Sequence, residues 1–201
     1  TILTDLSKKK YQAGTNERKL SDFYKMAMDS ARRNQEGIAP VKPMLDEMEA
    51  AKTLEALRQV QLKYGKMGFG VPFGSYFGAD DKNVTMNIFS VGQGGLTLGQ
   101  KDWYVNPDKA TSDIREAFKK HIVRMFELFG FNHADAQRKM QSVFRFETEL
   151  ALVSKSNVEL RDPQANYNKM TLAQFEETYP NIPLKAYTQA EGIDTKYIQE
   201  L

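Results

Sequence analysis

The chain has 201 residues, of which 41% are hydrophobic and 27% charged, with a formal charge of +2 and no cysteine. This length suffices for a core of its own, and the charge excludes the basic field of a nucleic-acid-binding protein. The lack of cysteine excludes disulfides, thiolate zinc sites and thiol nucleophiles.

The two ends of the chain say little about targeting. No apolar stretch approaches the length of a membrane span, and no signal peptide is visible. The first residue is Thr1 rather than Met. We therefore expect a fragment or a processed product of a longer protein.

The first third of the chain predicts helices. Residues 15–34 carry an apolar stripe at three- and four-residue spacing, formed by Leu20, Phe23, Tyr24, Ala27 and Ala31. The segment "EGIAPVKP" interrupts this pattern. A short helix is predicted near Pro43, and another from an N-cap at Thr53 to Gly65.

The pattern then changes to that of strands. Residues 68–91 are rich in aromatic and β-branched side chains on both sides of the polar stretch "GADDKN". This arrangement predicts a small antiparallel β-hairpin around residues 68–91.

Two long helices are predicted next. The first has a cap at Thr111 or Ser112, a stop at Gly130, and an apolar stripe of Ile114, Phe118, Ile122, Met125 and Phe129. The second covers about residues 134–154, and its stripe consists of Met140, Val143, Glu147, Leu150 and Ala151.

The clearest helix start lies near the end of the chain. Thr171 and Gln174 have the spacing of a capping box, and Met170 and Phe175 have that of a hydrophobic staple. Pro180 ends this helix, and two short helical segments are predicted after it, at residues 184–190 and 194–201. The fold class is therefore mainly α, a multi-helix domain with one inserted hairpin.

A glycine-rich stretch, "SVGQGGLTLGQ" at residues 90–100, raises the question of phosphate binding. It fits neither G-x-G-x-x-G between a strand and a helix nor the P-loop pattern. We expect Gly92, Gly94, Gly95 and Gly99 to have a structural role, letting the chain turn sharply after the hairpin and pack Leu96, Leu98, Trp103 and Tyr104 onto the helices.

Other catalytic patterns are absent from the sequence. His121 and His133 do not form H-E-x-x-H, the spacing with which a helix presents two imidazoles to one zinc ion. "FGSYFG" is not a nucleophile elbow. Paired carboxylates occur at Asp80 and Asp81 in the turn and at Glu176 and Glu177 on a helix, where we expect solvated side chains. We assign no catalytic, substrate-binding or metal-binding residue.

Two blocks of this sequence resemble a known family. "ADDKN", followed by "QGGLTLGQKDWY" at residues 93–104, is similar to the neprilysin-family pattern D-D-K-N, then Q-x-G-L-x-L-P-x-x-D-Y-Y. "ELRDPQANYNKMTLAQ" at residues 159–174 is similar to a later stretch of the same zinc metallopeptidases, and "FYKMAMD" and "EGIAPVKPML" to its early helices. Gly99 replaces a common proline, and Trp103 replaces the first tyrosine of the aromatic pair.

The resemblance covers nearly the whole chain and implies part of the N-terminal helical, or capping, domain of a neprilysin-like peptidase. It implies a zinc-dependent parent that hydrolyses oligopeptides, whose C-terminal thermolysin-like catalytic domain, with the zinc ligands, is not in this chain. For this chain alone we expect no cofactor and no activity. It also implies an exported parent, and because animal members are rich in disulfides, the lack of cysteine favours a bacterial one.

A second interpretation is a stand-alone helical module that binds a peptide or protein in an exposed apolar groove, without enzymatic activity. The two interpretations differ in surface properties. A part of a larger enzyme should expose a broad apolar face where its partner domain lies, whereas a complete module should expose only a narrow groove.

Overall fold

The computed structural model describes residues 1–65, 67–68, 73–198 and 200–201. These residues form mainly α-helices and one two-stranded antiparallel sheet, which confirms the predicted fold class. In chain order the elements are α1 Ile2–Ser7, α2 Asn16–Met28, α3 Ser30–Glu36, α4 Lys42–Ala50, α5 Leu54–Gly65, β1 Phe73–Asp80, β2 Asn83–Gln93, α6 Asp102–Val105, α7 Lys109–Leu128, α8 His133–Val153, α9 Pro163–Asn166, α10 Leu172–Thr178 and α11 Leu184–Ala190. Single 3₁₀ turns lie at Glu159–Arg161 and Thr195–Tyr197.

The chain divides into an N-terminal unit, Thr1–Asp46, and a main unit, Glu47–Leu201. In the N-terminal unit the helix predicted over residues 15–34 is divided in two at Asp29. The reason is local: the Asp29 carboxylate accepts the backbone N–H of Arg32 at 2.9 Å, so this residue caps α3 instead of continuing α2. None of the apolar side chains of this unit is buried.

The predicted hairpin is present in the main unit, with β1 and β2 paired in the register Phe77↔Phe89. The strands occupy Phe73–Asp80 and Asn83–Gln93, so β2 continues two residues beyond the predicted end at residue 91. Residues 69–72 of the predicted hairpin lie outside the described residues. A register irregularity between Ala79 and Asp80 precedes the turn.

One face of the hairpin packs on the last helices. The hairpin core consists of four buried residues, Phe89, Phe175, Leu184 and Ile198, to which Phe73, Val91 and Met170 add contacts. The capping box of Thr171 and Gln174 is confirmed. Met170 packs against the core that contains Phe175, in agreement with the predicted hydrophobic staple.

The helix predicted over residues 194–201 is wrong. Only Thr195–Tyr197 forms a 3₁₀ turn, and Ile198 then enters the hairpin core. Leu201 exchanges two backbone hydrogen bonds with Met170, at 2.8 and 2.9 Å. The chain end therefore gains strand-like pairing and apolar burial, and these outweigh its weak helical pattern.

A second core joins the two long helices. This helix core consists of Tyr104, Phe118, Ile122 and Ala151, with Leu96, Leu98, Trp103 and Phe144 packed against it.

The predicted cap of α7 at Thr111 or Ser112 is wrong, because Asp108 accepts the Thr111 N–H at 3.0 Å and starts the helix three residues earlier. No helix in the described part of the chain is long and apolar enough to cross a membrane.

Replacing Gly95 by valine should lower thermal stability. Gly95 has φ +84°, a backbone conformation that a β-branched residue adopts only with strain of about 1–2 kcal/mol. The melting temperature should fall by roughly 2–8 °C in circular dichroism of the 201-residue chain.

Gly92→Val is the matched control, since Gly92 does not have a left-handed φ and a Cβ there meets nothing within 4 Å. This variant should melt within a degree or two of the unmodified chain. Equal melting temperatures for the Gly95 and Gly92 variants would contradict the conformational role of Gly95.

Candidate functional site

The glycine-rich stretch connects the hairpin to the helix core. A Cβ at Gly94 would lie 3.2 Å from the carbonyl carbon of Phe73, so a side chain there would need the neighbouring backbone to move by a few tenths of an ångström. Gly95 and Gly99 have φ +84° and +85°. Leu96, Leu98, Trp103 and Tyr104 follow and pack into the helix core, which confirms the predicted packing. The turning role predicted for Gly92 is wrong, because Gly92 lies within β2, has no left-handed φ and has open space at its Cβ position.

A buried carboxylate lies at the hairpin turn, where the sequence predicted solvated ones. Asp80 is only 2% exposed, whereas its neighbour Asp81 is exposed as expected. The Asp80 carboxylate accepts the backbone N–H of Lys82 at 2.9 Å and the hydroxyl of Tyr167 at 2.8 Å. The interpretation of Asp80 as a solvated turn residue is therefore wrong.

An ion pair extends this arrangement to the end of the chain. The Lys169 ammonium donates to Asp80 at 3.1 Å and lies 2.7 Å from the Glu200 carboxylate. The Lys82 ammonium lies 4.2 Å from the centroid of the Tyr167 ring, within cation–π range. We call these five residues, Asp80, Lys82, Tyr167, Lys169 and Glu200, the Asp80 cluster.

Hydrogen bonding controls the ionisation of the Asp80 cluster. The backbone N–H of Lys82, then the Tyr167 hydroxyl and the Lys169 ammonium, lower the pKa of Asp80 to about 2 from its ordinary 3.8. The hydrogen bond to Glu200, and next that to Asp80, raises the pKa of Lys169. Both charges are thus held by partners within the fold, as in a structural ion pair.

A second buried carboxylate belongs to α8. Glu147 accepts hydrogen bonds from the Thr97 hydroxyl at 2.7 Å and from the Thr97 backbone N–H at 3.3 Å. It also accepts one from the hydroxyl of Tyr104. The Tyr104 oxygen in turn accepts the backbone N–H of Leu98 at 3.0 Å. Burial, and next the hydrogen bond to Glu147, raises the pKa of Tyr104. These four residues, Thr97, Leu98, Tyr104 and Glu147, form the Glu147 cluster.

His121 and His133, the two histidines considered as metal ligands, lie in different surroundings. Nδ1 of His133 lies 2.7 Å from a Glu127 carboxylate oxygen, and its Nε2 lies 3.0 Å from the Gln137 amide nitrogen. His121 is exposed on α7, as Glu176 and Glu177 are on α10. Across the described ranges, no three His, Cys, Asp or Glu side chains lie close enough together to hold a metal ion.

The sequence patterns did not predict the roles of Tyr167 and Lys169. Both residues lie in "NYNKMT", within the second block that carried the family resemblance. Asp80 and Lys82 belong to the first block. The structure joins these two blocks over a separation of 87 residues between Asp80 and Tyr167. A contact at that separation leaves no periodic pattern in one sequence, and only the resemblance marked the residues.

A family model described as "Peptidase family M13" matches residues 1–200. Among curated proteins, Neprilysin-3 of Drosophila melanogaster is 26% identical over 174 residues, which cover 82% of this chain and 22% of that protein. Endothelin-converting enzyme 1 of Mus musculus is 27% identical over 176 residues, covering 83% of this chain and 22% of that protein. The chain thus spans less than a quarter of the length of these relatives.

Two solved structures have the same fold. The zinc metalloprotease Zmp1 of Mycobacterium tuberculosis, in complex with an inhibitor, matches 100% of this chain with a TM-score of 0.87 at 24% identity. PepO from Lactobacillus rhamnosis matches 94% with a TM-score of 0.76. The matched region is 30% of each of those chains.

Replacing Asp80 by asparagine should change the pH dependence of stability. Since the folded-state pKa of Asp80 lies below its unfolded value, its contribution is complete above the unfolded value and is lost as the pH falls from about 5 towards 2. Asp80→Asn should melt lower at pH 7 and lose part of this acid slope in thermal scans between pH 7 and pH 2. The matched control is Asp81→Asn at the exposed neighbouring position, which should keep the unmodified slope; the same slope in Asp80→Asn would contradict the assignment.

Replacing Glu147 by glutamine should destabilise the helix core. Glutamine keeps the shape, but it removes the charge that strengthens three hydrogen bonds and places an amide N–H₂ near donors. We expect a loss of about 1–3 kcal/mol in urea unfolding at pH 7. Glu149→Gln, on the exposed face of the same helix, should stay within about 0.5 kcal/mol of the unmodified chain. Similar losses in both variants would show that Glu147 stabilises no more than a surface residue.

Proposed function

Because this chain belongs to peptidase family M13 over residues 1–200, we propose that it forms one wall and the gate of the peptide-degrading chamber of a zinc metalloendopeptidase. The family match over almost the whole chain carries this proposal. The parent hydrolyses oligopeptides, and the wall excludes folded proteins by size. In this proposal the region shapes the chamber and takes no part in the hydrolytic step.

The chemistry of the described residues supports a role in shape. The two buried carboxylates, Asp80 and Glu147, accept hydrogen bonds from donors of this same chain. These two groups hold the hairpin and the long helices in place, and neither of them is free to act as an acid or a base. The fold by itself does not specify an activity, so the catalytic role is assigned elsewhere in the parent.

Zinc belongs to the parent in this proposal. A catalytic zinc site needs about three protein ligands and one open position. The residues described here do not fit such a site, because no suitable group of three side chains occurs among them. The zinc ligands and the hydrolytic step are assigned to a C-terminal catalytic domain of the same polypeptide, the principal partner of this region. The parent is assigned to the exported proteins, as periplasmic, secreted or membrane-anchored.

The exposed apolar surface also favours a part of a larger enzyme. Large apolar side chains are exposed on several elements, among them Phe23 on α2, Tyr76 on β1, Met86 on β2, and Phe146 and Val153 on α8. Large exposed apolar patches mark surfaces that bind other polypeptide. This exposure supports the interpretation as a part of a larger enzyme.

The decisive experiment compares this 201-residue chain with the complete parent polypeptide. Zinc content is measured by metal analysis, and hydrolysis with a quenched fluorescent decapeptide and a folded protein that displays the same cleavage sequence in a surface loop. We expect the parent to bind about one zinc ion and to cleave the decapeptide far faster than the protein, while the 201-residue chain does neither.

Each other result has a defined meaning. Activity in neither form would favour the stand-alone binding module. Equal cleavage of the decapeptide and the folded protein would overturn the chamber wall but not the peptidase. Zinc-dependent cleavage by the 201-residue chain alone would place the catalytic residues within it and contradict the proposal.

A further inference from the structure

A groove with a volume of about 290 Å³ runs between α7 and α8 on one side of this helix pair. Its floor consists of Val123 and Met140, which are both half-buried. Polar side chains complete its lining: Glu116, Lys119, Lys120, Arg124 and Glu127 on α7, and His133 and Gln137 on α8. We call these nine residues the α7–α8 groove, and all of them lie in the main unit. The groove thus offers an apolar floor between polar rims, as ligand sites commonly do.

Both acids of the α7–α8 groove already have partners inside it. The Glu116 carboxylate accepts a hydrogen bond from the Lys119 ammonium at 2.8 Å. The same ammonium lies 4.6 Å from the centroid of the Phe144 ring, within cation–π range. At the other end of the groove, the Glu127 carboxylate lies 2.7 Å from Nδ1 of His133. Lys119 and His133 are therefore engaged by the groove's own acids.

Two cations of the α7–α8 groove have no such partner. Within the described part of the chain, neither Lys120 nor Arg124 forms an ion pair or donates a side-chain hydrogen bond. Both side chains are exposed. The two positions are one helical turn apart, and like charges at this spacing repel each other. A bound anion would remove this repulsion.

We propose that the α7–α8 groove binds an acidic peptide in an extended conformation. Two carboxylates of the peptide pair with Lys120 and Arg124, and an apolar side chain of the peptide lies on Val123 and Met140. Positive charge beside an apolar floor matches a chain that carries both kinds of side chain. A small inorganic anion would instead leave the floor uncovered.

The dimensions of the α7–α8 groove fit this ligand. Lys120 and Arg124 are about 6 Å apart along the axis of α7, since a helix rises about 1.5 Å per residue. Side chains two residues apart in an extended peptide point to the same side and are separated by about 6.6–7 Å. The α7 rim from Glu116 to Glu127 is about 16 Å long, the span of about five extended residues. A peptide with the pattern acid-x-acid-x-apolar therefore fits the groove.

This inference goes beyond the proposed function, because binding in the α7–α8 groove does not require that the parent hydrolyses the peptide. Isothermal titration calorimetry of the complete parent tests it. The ligand is acetyl-Glu-Ala-Glu-Ala-Leu-amide and the reference is acetyl-Gln-Ala-Gln-Ala-Leu-amide, each titrated with and without a zinc chelator. Mass spectrometry verifies that the peptides stay intact. We expect the acidic peptide to bind at least tenfold more tightly at low ionic strength, and to lose most of this preference in about 0.5 M salt.

Two double variants of the parent assign the binding to the α7–α8 groove. Lys120→Gln combined with Arg124→Gln removes both unpaired cations, and this variant should bind the two peptides with affinities within about twofold of each other. The matched control combines Arg161→Gln with Lys185→Gln, which removes two exposed cations outside the groove that also lack an ion pair in the described part of the chain. The control should keep the tenfold preference, and thermal melting verifies that both variants fold.

Each contrary outcome overturns the inference in a distinct way. Equal affinity of the unmodified parent for the two peptides would show that the unpaired cations select no acidic ligand. An equal loss of preference in the two double variants would show an effect of net charge alone. No binding, together with a lower melting temperature of the variant at Lys120 and Arg124, would show that another part of the parent, residues 1–46 included, occupies the groove. Zinc content and peptidase activity are measured in parallel, and their absence would count against the proposed function alone.

Discussion

The arrangement of the main unit depends on burying a carboxylate at a hairpin turn. Taking Asp80 out of water carries a large desolvation cost, which is offset only when hydrogen bonds and an opposite charge satisfy the carboxylate. The backbone of Lys82 supplies one bond locally, and Tyr167 and Lys169 supply the others from the far end of the chain. This requirement fixes the hairpin against α10 and the chain end, because any other placement would leave a buried charge unpaired.

Glu147 is a second buried carboxylate, in the helix core, and hydrogen bonds offset its desolvation cost as well. Its partners, Thr97 and Tyr104, lie in the segment that follows the glycine-rich turns, so the carboxylate holds that segment against α8. The two clusters share a feature. In each, a carboxylate accepts donors from a part of the chain distant in sequence, and an apolar cluster packs beside it: the hairpin core near Asp80 and the helix core around Glu147. Directional bonds select the arrangement, and the apolar contacts stabilise it.

Because the two cores are small, many apolar side chains of this chain remain exposed. Among the described residues, each core contains four buried side chains, and the N-terminal unit adds no buried apolar one. The chain matches the family over residues 1–200 and spans 22% of the length of Neprilysin-3. Under the proposed function, further polypeptide of the parent covers this surface.

Local chemistry in the sequence determined the two long helices α7 and α8, the hairpin, the capping box at Thr171 and the turn at Gly95, because each depends on residues within a few positions of one another. The split of α2 and α3 at Asp29 and the cap at Asp108 were also local, but several polar residues competed for those caps. The resemblance carried by "ADDKN" and "NYNKMT" determined the family without any coordinates. Only the tertiary structure decided that Asp80 is buried, that Glu200 and Leu201 pair with Thr171 and Met170, and that the apolar side chains of α2 are exposed. These features arise from contacts between residues tens of positions apart, or from the absence of such contacts, and no short-range pattern encodes them.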